Sequence, residues 1–271
     1  MYHVQLKLIL LAVTGLSIGF STDRSEAELL KVPNDHLTIQ QAIDASTSGD
    51  TIVVASGTYH LYAGNITFGT ESITLKSSFG AETAVLQGRG GAPVITFPEN
   101  CRAVVEGFTI MPLDEGGTGV RPLKGGGIYC GKASSPTIID CIITDNGAIH
   151  GGGIYCDEMS APTLDNVTVT NNRAKVSGGG VFAFKAFPTL VRSRIVANHA
   201  ANTGGGFHSY KGSPRIMNTV IWQNTALSGA GVSCDESLSS VVNCTITQNR
   251  AASYGGGILF DGGATKIIND I

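Results

Sequence analysis

A glycine triplet followed by a short apolar run returns six times along this chain. Gly125-Gly126-Gly127-Ile128-Tyr129-Cys130 recurs from Gly151, Gly178, Gly204, Gly229 and Gly255, at steps of 26, 27, 26, 25 and 26 residues. Asn146, Asn172, Asn198, Asn224 and Asn249 keep the same phase. So do Pro136, Pro162, Pro188 and Pro214, each ten residues ahead of its asparagine. Three marks in step over five periods define a structural repeat.

Aligned on the asparagines, the units show alternating columns. Ile138, Leu164, Leu190, Ile216 and Val241 form one apolar column, and Ile143, Val169, Ile195, Ile221 and Ile246 another. Between them lie the small residues Cys141, Val167, Ser193, Thr219 and Cys244, beside the wholly polar column Asp140, Asn166, Arg192, Asn218 and Asn243. A period of two is that of strands, and each unit predicts three: one at the triplet, one after the proline and one ending at the asparagine. A lone unit has nothing to cover its apolar side, whereas stacked units give every strand a parallel neighbour and close a continuous interior. The predicted fold is all-β, a single-stranded right-handed parallel β-helix with coils of about 26 residues. The asparagines are expected at a turn between two sheets, where Asn tolerates left-handed backbone and its amide can bond the equivalent amide one coil away.

Composition agrees with strands that cover one another: 36 of 271 residues are Gly and 14% are charged, against about 25% in average soluble domains. The net charge of −3, without a basic cluster, argues against a nucleic-acid partner. His3 and Lys7 precede the apolar run Leu8 to Phe20, and Ser25-Glu26-Ala27 follows, the pattern of a secretory signal over residues 1–27. That run is short for a membrane span, and no later segment could cross as a helix, so an exported or cell-surface protein is expected. Cys141 and Cys244 share a column four coils apart, roughly 19 Å and beyond any disulfide. Only Cys130 and Cys156 stand in adjacent coils of one column. Small core filler is the expected role of the cysteines, and no spacing resembles a zinc site.

Ahead of the regular repeats, Leu29 to Val32 predicts a first strand. Thr38-Ile39-Gln40-Gln41 is a capping box that opens a helix through about Ala45, placed to cover the end of the solenoid. Gly49-Asp50 turns into the strand Thr51 to Val54, and Ser56-Gly57-Thr58-Tyr59 predicts another turn. The stretch Thr38 to Ala45, with Gly49-Asp50-Thr51-Ile52-Val53-Val54 and Gly57-Thr58-Tyr59, resembles the opening of pectin methylesterases and other members of the pectin-lyase-like parallel β-helix superfamily. The later units resemble secreted bacterial right-handed β-helix proteins and, loosely, chlamydial polymorphic outer membrane protein repeats. The latter carry Gly-Gly-Ala and Phe-x-x-Asn, where this chain has Gly-Gly-Gly and an aliphatic residue three before the Asn. Less regular strands run from Asn65 to Pro112, and residues 28–124 read as cap and irregular coils ahead of the repeats of 125–271. The insertion Met111 to Lys124, with Asp114 and Glu115, predicts a protruding loop. The chain stops before the asparagine strand that each earlier unit completes, so continuing sequence or a partner is expected to cover that end.

The resemblance to pectin methylesterases implies a carboxylate pair with an arginine, but no Gln-Asp-Thr or Asp-Phe-Ile-Phe-Gly type segment is present to carry it. Pectate lyases of the superfamily imply calcium held by carboxylates and a basic residue that takes a proton. The candidates on a polar edge are Asp157, Glu158, Asp235 and Glu236, with Asp261 and with Arg173, His199 and Arg250, and by spacing no two acidic coils are adjacent. An outward column of rings, Tyr129, Tyr155, Phe182 and His208, offers apolar faces at one-coil steps that suit a polymer lying along the axis, or packing beneath a loop. Two functions follow as expectations. One is a non-catalytic exported repeat protein that binds polysaccharide or a cell-surface protein along its long face, without cofactor. The other, by the resemblance, is a polysaccharide lyase or hydrolase, with calcium under that alternative only.

Overall fold

The computed structural model describes residues 26–62, 64–113 and 121–268. Residues 1–25, most of the predicted signal segment, with the core of the insertion including Asp114 and Glu115, and the last three residues lie outside the described residues. Successive windings stack as the columns require, and every pairing between named strands is parallel. Among the described residues a ten-stranded post-proline sheet runs from Leu29–Val32 to Lys266–Ile268. An eight-stranded pre-asparagine sheet runs from Gly57–Leu61 to Thr245–Thr247, and an eight-stranded triplet sheet from Ile66–Thr67 to Ile258–Gly263. Ile138, Leu164, Leu190, Ile216 and Val241 are partners in register and wholly buried, as are most residues of the companion columns. One continuous core results. At the last windings its residues lose their cover: Phe260 and Ile267 are 41% and 46% exposed.

Two local readings change. Gly57 to Tyr59 does not turn; Gly57–Leu61 is a strand paired along its length with Ala84–Gly88, because the same β-prone residues find a parallel neighbour there. Each regular winding also carries a fourth short strand after the asparagine, beyond the three expected: Gly147–His150, Arg173–Ser177, His199–Ala200, Thr225–Ser228 and Arg250–Tyr254. Its inward residues are Ala148, Ala174, Ala200 and Ala226, all buried. Such small side chains let the strand close onto the triplets. A Cβ on Gly179 would stand 2.4 Å from the Gly205 carbonyl oxygen and 2.5 Å from the His199 backbone, so the middle glycine is a packing requirement.

The asparagine ladder forms, with one correction. Asn146 Nδ2 donates to Asn172 Oδ1, Asn172 to Asn198, Asn198 to Asn224 and Asn224 to Asn249, at 2.9 to 3.1 Å. The left-handed residue is not the asparagine but the one before it: Asp145, Asn171, Ala197, Gln223 and Gln248 have φ between 53 and 60°. That turn aims the asparagine side chain inward. Two further corners are left-handed, at the polar column Asp140, Asn166, Arg192, Asn218 and Asn243, and after the triplet strand at Ala133, Met159, Lys185, Lys211 and Glu236. Left-handed backbone strains L-residues by about 1–2 kcal/mol, least for Asn and Asp, which accounts for their frequency at these corners. Met159 has φ 62° and is 58% exposed, so Met159→Gly is expected to relieve strain without losing packing. A gain of about 1 kcal/mol, or about 2 °C in Tm, is expected by differential scanning calorimetry. An unchanged or lower midpoint would show that this corner holds no strain.

At the amino-terminal end the capping box is present. Gln41 N donates to Thr38 Oγ1 at 3.2 Å, Thr38 N donates to Gln41 Oε1 at 3.1 Å, and the helix Ile39–Ala45 buries Ile39, Ala42 and Ile43 against the first windings. All six cysteines are buried and none is in a disulfide, Cys101 included. Cys130 and Cys156 are register partners joined by a thiol hydrogen bond, which together with burial raises the Cys130 pKa well above the ordinary thiol. Burial pushes Cys141 up to about 12 and Cys234 to about 11, values that suit inert filler rather than nucleophiles.

Candidate functional site

Strand alternation sends every second residue of the triplet sheet outward, and there the rings stack: Tyr129 on Tyr155, Tyr155 on Phe182 and Phe182 on His208, with centroids 6.0, 5.2 and 4.9 Å apart. They are not an open platform. Tyr155, Phe182 and His208 are only 4%, 7% and 4% exposed. The cause is a polar column that the sequence reading missed, the residue just before each triplet: Lys124, His150, Ser177, Thr203, Ser228 and Tyr254, joined winding to winding. It leans over the rings. Lys124 Nζ lies 5.0 Å from the Tyr155 centroid, the His150 ring is 5.2 Å from Phe182, and Thr203 Oγ1 meets His208 Nδ1 at 2.7 Å.

A third column lies on the other flank, two residues past the rings: Asp157, Phe184, Tyr210, Asp235 and Asp261. Phe184 and Tyr210 stack at 5.9 Å. The period of two from Phe182 and His208 could have revealed both. Tyr155 and Phe182 thus floor a groove of about 320 Å³, walled by Leu123, Lys124 and His150 on one side and Phe184 and Tyr210 on the other. Leu123, 63% exposed, stands at its lip.

Carboxylates mark both ends. Asp157 accepts from Lys124 Nζ at 2.7 Å, Tyr129 OH at 2.6 Å and the Glu158 N–H at 2.9 Å. Burial raises its pKa, but those three donors outweigh burial and hold it below the ordinary carboxylate value. Burial, with the bond to Asp157, raises Tyr129, and burial raises Tyr155, so both rings stay neutral phenols. At the far end burial raises Asp235, aided by Asp261 and Glu236. His208 Nε2 is 3.5 Å from Asp235 Oδ2, yet burial lowers the imidazole to about 4, so it is neutral at pH 7. Burial and Lys124 lower His150, whose Nδ1 is buried and has no hydrogen-bond partner among the described residues.

Of the polar-edge candidates, Glu158 pairs with Lys185 at 3.3 Å and Lys132 at 3.9 Å, and Glu236 with Lys211 at 3.4 Å. Arg173 and His199 are exposed register partners on the fourth sheet and do not line the groove; His199 Nδ1 bonds Thr225 Oγ1 at 2.9 Å. One spacing argument fails: Asp235 and Asp261 are register partners, so two acidic coils are adjacent after all. Even so, calcium needs six to eight oxygens, and no group of three metal-ligating side chains converges among the described residues, so these residues do not fit the ion. No described helix is long and apolar enough to cross a membrane.

Similar folds occur among solved structures. A pectin methylesterase from Aspergillus niger shares 13% identity at a TM-score of 0.47, over 89% of this chain and 86% of that one. A pectin methylesterase mutant in complex with a hexasaccharide shares 12% at 0.47, over 90% and 78%. A mutant of a PL6 family alginate lyase shares 12% at 0.46, over 91% of this chain and 38% of that protein. A search of the curated proteins found no match. The family described as right handed beta helix region matches residues 126–271, more than half of the sequence. The chain therefore belongs to the right-handed β-helix family.

Proposed function

We propose that this is an exported β-helix protein that binds polysaccharide in the groove over the triplet sheet. The supporting observation is the groove itself: a floor of Tyr155 and Phe182 beside the half-buried rings of Phe184 and Tyr210, with Asp157 and Asp235 one winding beyond on the flanking column. The half-buried rings of Phe184 and Tyr210 offer the CH groups of a sugar apolar contact at small entropic loss. Asp157 already has Lys124, whereas Asp235 and Asp261 add uncompensated negative charge at the far end, so a neutral glycan fits better than a polyuronate. Export rests on the amino-terminal signal pattern.

Titration of neutral and acidic oligosaccharides against the full chain tests the reading. Neutral chains are expected to bind, and the Phe184→Ala, Tyr210→Ala double variant to bind about tenfold or more weakly while keeping its circular dichroism. Wild-type affinity in the double variant would reject the groove. A lyase or hydrolase is favoured by one observation only, the neutral His150 imidazole in the groove wall, a group able to accept a proton. Chain cleavage that vanishes in His150→Gln would favour that reading over simple binding.

A further inference from the structure

The asparagine ladder ends at an acceptor that no group among the described residues satisfies. In each lower winding Oδ1 receives two donors from the asparagine above: Asn172 Oδ1, for instance, accepts from Asn146 N at 3.0 Å and Asn146 Nδ2 at 3.1 Å. One winding before Asn146, in register by the pair Ile110 and Ile143, the corresponding residue is Leu113. Leucine has no amide to offer, and the Leu113 N–H is taken by the Gly88 carbonyl at 2.7 Å. Asn146 is 1% exposed and its Oδ1 has no partner among the described residues, while its Nδ2 is fixed by Ile110 O at 3.0 Å, Thr144 O at 2.9 Å and Asn172 Oδ1. The amide cannot turn over without losing those bonds. An unpaired buried acceptor destabilises by about 1–3 kcal/mol, and such a group calls for a ligand or a water.

Asn146 lines a cleft of about 280 Å³ whose other lining residues include Arg89 and Arg121. Gly147 is the one residue of its column without a side chain, since Arg173, His199, Thr225 and Arg250 follow it. The Arg121 guanidinium occupies the space that a Cβ on Gly147 would fill. Arg89 sits on a glycine-rich turn tied down by Asn65, which accepts from Arg89 N at 2.8 Å and donates to Pro93 O at 2.7 Å. Asp145, the acid on the rim, has its Oδ2 engaged by the Thr144 hydroxyl at 2.7 Å, and among the described lining residues two arginines stand against this one carboxylate. Among the described residues neither arginine is in an ion pair.

We infer that this cleft binds a small α-hydroxycarboxylate, its carboxylate on Arg89 and Arg121 and its hydroxyl donating to Asn146 Oδ1. Guanidinium pairs select carboxylates, and a buried carbonyl acceptor selects a donor such as a hydroxyl. The volume is near the lower end of ligand pockets, which restricts the occupant to a molecule of a few heavy atoms. The site shares no residue with the groove over the triplet sheet and stands independently of the function proposed there.

Isothermal titration of the full chain with lactate, propionate and glycerol tests it. Lactate is expected to bind saturably, propionate about tenfold more weakly for want of the hydroxyl, and glycerol not measurably. Arg121→Gln should weaken lactate about tenfold or more. Leu113→Asn adds a rung above Asn146, supplies the missing donor and should abolish the preference for lactate over propionate. Absence of saturable lactate binding, equal binding of lactate and propionate, or an Arg121→Gln protein that binds like wild type would overturn the assignment and leave Asn146 Oδ1 to an ordered water. Arg121→Gln alters a surface side chain only, so it decides the matter even if Leu113→Asn does not fold.

Discussion

Asn198→Asp is expected to destabilise the protein by at least about 4 kcal/mol, although the change swaps a single NH2 for an oxygen. Asn198 Nδ2 donates to Val169 O at 2.9 Å and Asn224 Oδ1 at 3.0 Å, while its Oδ1 accepts from the backbone and side-chain nitrogens of Asn172 at 3.0 Å. In the aspartate the second carboxylate oxygen would face two acceptors in a fully buried site. Protonation would silence the charge but restore only one donor. Asn249, the last rung among the described residues and only partly buried, makes an internal control, since its amide donates there to Ile221 O alone. Urea unfolding of Asn198→Asp and Asn249→Asp should show the larger loss at the interior rung. Equal losses, or less than about 1 kcal/mol at Asn198, would mean the ladder is decorative and the aliphatic columns alone hold the windings.

The second large effect is on pH. His208 is buried between Phe182 and Thr203 with its folded pKa near 4, against about 6.5 unfolded. The unfolded chain therefore binds the extra proton between those values, and stability rises with pH across that window. The contribution is fully present above pH 6.5 and is lost as pH falls toward 4, about 3 kcal/mol in all. His150, also lowered, acts in the same sense, whereas Asp235, raised, acts in the opposite one. Urea titrations at pH 7.5 and 4.5 on wild type and His208→Phe check this. The variant keeps a ring in the stack and should show a much flatter profile. An unchanged slope would assign the acid sensitivity elsewhere.

Most of the fold was legible because a stacked repeat reports each structural decision several times. Ile138 and its four successors announce a buried strand five times over, and the capping box at Thr38 announces a helix start by chemistry alone. The fourth strand escaped because its signal is an alanine column, and Ala174 or Ala200 reads as neutral until the glycines opposite are known to lie close. The left-handed corners escaped for a related reason. Arg192 and Met159 carry no preference for such backbone, and only the closure of the winding imposes it. The ring column was legible as a column but not in its exposure, since what covers Tyr155 and Phe182 comes from Lys124 and His150 in the neighbouring column. The cleft at Asn146 could not be anticipated, because it arises where one rung is missing, and a missing partner has no motif.

The ladder and its companion columns join each winding only to the one before and the one after. Length in such a protein is quantised. A lineage can insert or excise a whole unit, such as Arg173 through Asn198, and rejoin every column in phase, whereas one stray residue within a strand inverts inside and outside for that winding. Size can then evolve by duplication without redesign of the interior, and novelty is left to whatever departs from the rhythm.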